Sequence, residues 1–492
     1  MPLKVSKEKQ TALDYIEANE KTITKMSDTI WRYAEPALRE YRSSRLLCEY
    51  LRKNGFDVEM GISGIPTAFV ATYGSGKPVI ATYAEYDATP GNSQKPVPFR
   101  EPVVPHAPGF EDKHNMLGVA ATSGIVAAKE AMDRHRLKGT LKIFGTPAEK
   151  ICVAKAFQAR DGFYNDLDAV IANHPMNFNT VTWDHLPGCY MATAFQFHGL
   201  QSYGGRPWAG KSALDGVIIM NVLANFMKEQ ILPHDEYPSL NEIVSVGGQC
   251  LTNIPEFAEV FYAMRSPTIP GTKKIFEILK KCAEAAATAV DLRLNMRVMG
   301  ASRTGLPNHA LSELVYRNME MIGPPRFSEE EKEFCREIQR SLGVEPMKEP
   351  LDETLTKPWE LGEWFKGGCD DFNEFTWYAP SAWLHTTMWF RSHAGFDIPS
   401  WAIAATSKTG ITHKGGIFAA KAIATSMIEL LIDQKQLKKA KSEFKKRTEG
   451  GIEECLIPKD EKPPIDLALP EFNGKETVIR YPTTGHKPLY RT

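Results

Sequence analysis

Four short stretches of this chain carry residue types that hold metal ions or move protons. The first is Asp112-Lys113-His114-Asn115-Met116-Leu117-Gly118, in which an acid and an imidazole stand two residues apart, just ahead of a helix-like run from Met116 to Met132. Such ligand types, fixed at a rigid helix start, suit a divalent cation. A lone Asp-x-His pair is common by chance and says little by itself. It gains weight from three others: Gly145-Thr-Pro-Ala-Glu149, Ala172-Asn-His174-Pro175 and Thr412-His413-Lys414-Gly415.

The elements needed to position these residues are legible around them. Pro78–Tyr83 is a continuous apolar run, suited to a strand buried on both faces, and it runs into Ala84-Glu85-Tyr86-Asp87. Thr140–Phe144 leads in the same way to Glu149, and Leu167–Ala172 to His174. Helix-like segments, Met116–Met132 and Ala154–Asp161, lie between them. Strand–helix–strand alternation predicts an α/β fold with an open, mostly parallel sheet, whose sites gather beyond the carboxyl ends of the strands. Asp87, Glu149 and His174 share that placement. Between Asp87 and His114, the proline-rich stretch 90–111 reads as a long loop walling a site.

Upstream, residues 8–54 show helical spacing (Leu13, Ile16, Ile23, Met26, Ile30, Tyr33), with a second helix Ser43–Lys53 closed by Asn54-Gly55. Val58–Gly61 and Thr67–Tyr73 read as strands. From about residue 187 the order becomes strand Tyr190–Gly199, helix Ser212–Gln230, strands Glu242–Gly247 and Ala258–Arg265, helix Thr272–Val290, and strand Leu292–Met299. That β-α-β-β-α-β order predicts an inserted ferredoxin-like α+β layer over 187–310. The first style returns over 311–435, with a solvated helix Ser328–Leu342, strand-like Trp383–Trp389 and Trp401–Ala405, and an apolar helix Ile417–Leu431 just after His413. The expected organisation is 1–186 and 311–435 as two parts of one catalytic domain, 187–310 as a lid, and 436–492 as a surface extension.

The 492 residues are 42% hydrophobic and 24% charged with a net charge of −1, a globular composition without a field favouring nucleic acid or an anionic membrane. No apolar run approaches the roughly 18 residues that span a bilayer, so neither nucleic acid nor a membrane is expected as a partner. The N-terminal stretch has no apolar signal core. Eight cysteines scattered without metal or redox spacing read as reduced thiols of a cytoplasmic protein.

With these residues in view, the chain resembles the M20 family of metal-dependent amidohydrolases, in its aminobenzoyl-glutamate and indole-acyl amino acid hydrolase branch. The resemblance rests on Ala84-Glu-Tyr-Asp-Ala-Thr-Pro-Gly-Asn-Ser-Gln94, His114-Asn-Met-Leu-Gly118, Gly145-Thr-Pro-Ala-Glu149, Asp168-Ala-Val-Ile-Ala-Asn-His-Pro175, Phe197-His-Gly199, Pro207-Trp-Ala-Gly-Lys-Ser-Ala-Leu-Asp215, Asn253-Ile-Pro-Glu-Phe-Ala-Glu-Val260 and His413-Lys-Gly415. It implies a catalytic domain interrupted by a dimerising lid, with Asp112, His114 and His174 as metal ligands and Glu149 as general base. Two residues depart from the pattern. Lys150 stands where the family has a second glutamate that binds a second metal, and an ammonium cannot ligate. One divalent metal per site is therefore expected, Mn or Zn, with His413 turned to substrate. Tyr203 stands where the family has an oxyanion-stabilising histidine, and it carries no charge at neutral pH. Asn253 and Arg265 are expected contacts to the substrate's oxyanion and carboxylate from the lid.

The chemistry implied is metal-assisted hydrolysis of a C–N bond in a small molecule, with Glu149 moving the proton and Asp87 orienting a ligating histidine. The leading expectation is an amidohydrolase of an N-acyl or aroyl amino acid, assembled as a dimer or tetramer. A hydrolytic deaminase of an aromatic amine, of the nitroanthranilate type, is the alternative, since charge spread into a ring needs the oxyanion histidine less. A degenerate binding protein is the third reading.

Overall fold

The computed structural model describes residues 5–184, 186–230, 238–360, 368–395 and 397–479. It opens with two helices, α1 (Lys7–Tyr33) and α2 (Tyr41–Lys53). Ser6 caps α1 by accepting from the Lys9 N–H, and Ala12, Ile16, Ile23, Met26 and Ile30 form its buried stripe. The strands that follow are β1 (Asp57–Met60), β2 (Phe69–Ser75), β3 (Val79–Ala84), β4 (Gly139–Gly145), β5 (Ala169–Met176) and the short β6 (Thr180–Val181). Helix α3 (His114–His135) joins β3 to β4, and α4 (Ala154–Arg160) joins β4 to β5.

A second sheet is built from β7 (Cys189–His198), β9 (Ser239–Val246), β11 (Phe257–Ser266) and β12 (Arg293–Ser302), with a two-residue ribbon of β8 (Ser202–Tyr203) and β10 (Asn253–Ile254) beside it. Its helices are α5 (Ala213–Gln230) and α6 (Ile269–Ala289). The strand order β12-β7-β11-β9, antiparallel throughout, is the ferredoxin-like arrangement. Phe195, Phe197, Val260, Tyr262 and Met264 of the strands close one core with Val217, Met220, Ile275 and Leu279 of the helices.

The chain then returns through α7 (His309–Ile322), α8 (Glu329–Ser341), β13 (Ser381–Thr387), α9 (Ser400–Ala404), α10 (Gly410–Ile432) and α11 (Gln434–Arg447), ending in the hairpin β14 (Pro470–Phe472) and β15 (Thr477–Ile479). The seven-stranded sheet has the order β1-β2-β4-β3-β5-β13-β6. Its four central strands, β4, β3, β5 and β13, are parallel, with antiparallel strands at both margins. In β3, Ile80 and Ala84 face the core shared with α1, α3 and α10. Val79, Ala81 and Tyr83 face the opposite core, with Phe157 of α4 and Phe375. Burial on both faces is why this strand reads as an unbroken apolar run.

One expected strand is corrected. The expected strand Trp401–Ala405 falls instead in the short helix α9, with Pro399 and Ala405 as its end caps, and Ala402 and Ala405 are buried beside Phe390 and Ile411. Five residues are too few for periodicity to separate strand from helix. Helix α10 is long and apolar enough to cross a membrane by length and composition, but most of it is buried as the central helix under the sheet. The C-terminal extension docks across both layers. Arg297 of β12 holds Asp466 at 2.8 Å and Glu461 at 3.2 Å, while Arg39 holds Glu471 at 3.2 Å.

Candidate metal centre

The centre forms where β3, β4 and β5 end. Glu85 and Asp87 follow β3, Glu149 follows β4, His174 lies near the end of β5, and His114 is the first residue of α3. Gly118 lets α3 start so close to the end of β3, because a Cβ there would stand 2.3 Å from the Glu85 carbonyl oxygen. Glu149 opens the tight turn Glu149–Ile151. It is bracketed by Ala148 and Cys152, two non-glycine residues held in the left-handed region at φ 60 and 48. Strained backbone of this kind persists where the surroundings impose it, and here it aims the Glu149 carboxylate.

His114 is fully buried, and its Nδ1 lies 2.9 Å from Asp87 Oδ1, which turns Nε2 inward. From that Nε2, Glu85 Oε2 is 3.2 Å away, Glu149 Oε2 3.5 Å and Asp112 Oδ2 3.7 Å. His174 is oriented by its Nδ1, 2.8 Å from the Pro175 carbonyl, and its Nε2 comes 3.4 Å from Asp112 Oδ1 and 3.8 Å from Asp370 Oδ2. Lys150 Nζ hydrogen-bonds Asp112 Oδ2 and stands 3.5 Å from Glu149 Oε2 and 3.7 Å from Glu111 Oε1. The Lys150 backbone N–H donates to Asp87 Oδ2 at 3.1 Å. Lys155, fully buried, donates to Glu85 Oε1 at 2.5 Å and to Asp371.

The electrostatics follow from crowding charges in a largely buried pocket. Burial opposes ionisation of Asp112, but Lys150, then His174 and His114, outweigh it and hold the carboxyl well below the usual range. Burial and Lys150 disfavour a charged His114, yet Glu85 and Asp87 prevail and push the ring up to about 10. Burial, then Glu149, raises Asp370 to about 7. A cation seated here would take the place of the proton that these acids hold on His114.

The donor set fits a divalent ion. Glu85 Oε2, His114 Nε2, Glu149 Oε2 and Asp371 Oδ2 are buried without a hydrogen-bond partner. Two trios of ligand atoms, Asp112–His114–His174 and Glu85–His114–Glu149, each lie within 4.8 Å of one another. Carboxylate and imidazole donors together suit Zn or Mn rather than a soft metal.

The remaining expected site residues are placed elsewhere. His413 does not join the cluster: its Nε2 lies 2.9 Å from Asp28 of α1. It sits inside the first turn of α10, where packing against α1 fixes its direction. Tyr203 is 65% exposed and faces Asn253 across the β8–β10 ribbon, and neither touches the cluster. Arg265 donates to Asn241 Oδ1 at 2.9 Å, with its guanidinium 5.2 Å from the Tyr190 ring centre, and it also borders Cys369 and Cys152. The Cys152 thiol in turn lies within 4.8 Å of Glu149 and Asp371. Arg265 is thus a lid residue at the centre's rim. Four residues of the centre escaped the sequence reading: Glu85, Lys155, Asp370 and Asp371. The signal for Glu85 was its place one residue past β3; the Asp370-Asp371 pair precedes no apolar run that would have marked it.

No family model matches the chain. Over 480 residues it is 29% identical to a p-aminobenzoyl-glutamate hydrolase subunit of Escherichia coli, covering 92% of this chain and 97% of that protein. Over 391 residues it is 24% identical to indole-3-acetyl-aspartic acid hydrolase of Enterobacter agglomerans, covering 64% of this chain and 86% of that protein. Its fold matches the crystal structure of an aminobenzoyl-glutamate utilization protein from Klebsiella pneumoniae, with a TM-score of 0.52 at 14% identity, over 82% of this chain and 97% of that one.

Proposed function

We propose that the chain, whose motifs resemble those of the M20 amidohydrolases, is a hydrolase of amide C–N bonds whose substrate is an N-acyl or aroyl amino acid. The observation that carries this reading is the buried, unpartnered His114 Nε2, ringed by Asp112, Glu149 and Glu85 at the carboxyl ends of adjacent parallel strands. The relatives that act on aminobenzoyl-glutamate and indole-acetyl-aspartate share the acylated acidic amino acid as a substrate type.

Asp112, His114 and His174 would hold one divalent cation per site, Zn or Mn, which would supply Lewis-acid activation of water and of the scissile carbonyl. Glu149 stands beside that position, removes the proton from the attacking water and delivers it to the leaving nitrogen. Asp87 keeps His114 in the tautomer that offers Nε2 inward. Lys150 fills the place of a second cation and neutralises Asp112 and Glu149. Arg265, at the seam between the layers, receives the substrate carboxylate.

The assembly is a homodimer through the ferredoxin-like layer. Ile218, Val222 and Phe226 make an exposed stripe at four-residue spacing on α5, and Ile243 and Val244 are exposed on β9, the free edge of its sheet. Tyr203 and Asn253, which touch nothing in their own site, are the donors a partner's site takes. The free state of all eight cysteines accords with a cytoplasmic protein.

The test is a panel of N-aroyl and indole-acyl amino acids, assayed with Zn²⁺ or Mn²⁺ for both amino acid and ammonia. Amino acid release, lost by about 10²- to 10⁴-fold in Glu149→Gln, is the expected result. Ammonia from aromatic amines without amino acid release makes the chain a deaminase instead. No turnover with either ion makes it a binding protein.

A further inference from the structure

Glu85 is a buried acid that the reaction outlined above does not use. It follows β3 directly, it is fully buried, and its two oxygens have different surroundings. Oε1 accepts from Lys155 at 2.5 Å, whereas Oε2 is buried with no hydrogen-bond partner. It has the ion pair with His114 Nε2 but no hydrogen bond, and native folds rarely leave a buried carboxyl oxygen so placed without a purpose. This orphan is aimed at two others: His114 Nε2 at 3.2 Å, and through it Glu149 Oε2, 3.5 Å from the same nitrogen.

We propose that Glu85 Oε2 is a ligand of the divalent cation at this centre, with Lys155 acting as the counter-charge that locks the carboxylate's other oxygen. The proposal rests on the metal-dependent reading of the site and deepens it. Donor atoms that share one ion at bonds of about 2.0–2.2 Å stand roughly 3.0–3.5 Å apart, and the Glu85–His114 separation is of that size. The two trios of ligand atoms share His114 Nε2. An imidazole nitrogen has a single lone pair and binds a single ion, so an ion held on His114 Nε2 has Glu85 Oε2 within reach. Glu149 then remains beside the ion as the base.

Charge balance points the same way. Glu85, Asp87, Asp370 and Asp371 are buried together with Glu149, and Asp112 adds a sixth carboxyl against Lys150, Lys155 and the protonated His114 ring. Burying unpaired charge is strongly unfavourable, and a divalent cation touching Glu85 as well as Asp112 relieves the surplus where it is greatest. Lys155 makes this possible. By holding Oε1 and Asp371 it fixes the side chain from the far side and leaves Oε2 facing the histidine.

The full chain is purified, stripped with a chelator and titrated with Zn²⁺ against a chromogenic competitor, and with Co²⁺ by its visible absorption. Glu85→Gln and Glu85→Asp are compared with the parent. Glu85→Gln should lose at least about tenfold in affinity and change the Co²⁺ spectrum. Glu85→Asp keeps a negative charge for Lys155 but withdraws the inner oxygen by one methylene, so it too should bind more weakly. Folded variants that bind with parental affinity and an unchanged spectrum would overturn the proposal and leave Glu85 as a mere partner of Lys155. If Glu85→Gln does not fold, the Glu85→Asp titration decides. A parent that binds neither ion overturns the metal-dependent reading itself, a result distinguishable from loss of binding in the variants alone.

Discussion

Lys150 shows how far one residue can redirect a site. Its ammonium stands among Asp112, Glu149 and Glu111, the acids a second cation would need. Its charge repels a second cation at that spot, and its bulk takes the space. Replacing Lys150 by Glu removes that repulsion and adds a donor. The chain purified without chelator should therefore carry about one metal per subunit, and Lys150→Glu about two, counted by atomic emission. Two ions in the parent would refute the role given to Lys150. The residue type was visible in the sequence, but its target was not. A lysine's four-carbon stem reaches any of several acids, and the fold of the Glu149–Ile151 turn chose Asp112.

Among the elements, the start of α3 against the end of β3 sets the spacing of the centre. The Gly118 Cα hydrogen lies where a methyl would run into the Glu85 carbonyl oxygen. Gly118→Ala must push α3 outward and draw His114 away from Glu85. We expect a stability loss of about 1–3 kcal/mol in denaturant titrations, together with weaker Zn²⁺ binding. A variant that loses stability yet binds Zn²⁺ like the parent would show that this contact does not set the ligand spacing. The elements themselves were largely readable, for a physical reason. Parallel strands buried on both faces are largely apolar, so β3, β4 and β5 announced themselves and placed Asp87, Glu149 and His174 at their ends. Helix α9 was misread because a five-residue run packed at one edge has no period to reveal.

At the scale of the molecule, the extension beyond α11 ties the two layers together. Its Glu461 and Asp466 grip Arg297 on β12, while Glu471 grips Arg39 beside α2. The opposite side of the ferredoxin-like layer is left with its apolar stripe uncovered. If that stripe is a subunit interface, Phe226→Glu, which places a charge at its exposed end, should convert a dimer to a monomer in sedimentation velocity without shifting the thermal midpoint by more than a few degrees. A parent that already sediments as a monomer would remove the interface.

The sequence by itself determined the order of strands and helices, the carboxyl-end placement of Asp87, Glu149 and His174, and the ligand types near His114, because periodicity and local spacing are properties of neighbouring residues. Tertiary structure alone decided where the side chains point. It turned His413 toward Asp28, left Tyr203 on an exposed ribbon, and set Lys155 behind Glu85 so that one oxygen faces His114. Those directions depend on partners far away in the chain: Asp28 is 385 residues from His413, and Lys155 is 70 from Glu85. Local pattern carries no record of which distant groups the packed core will bring together.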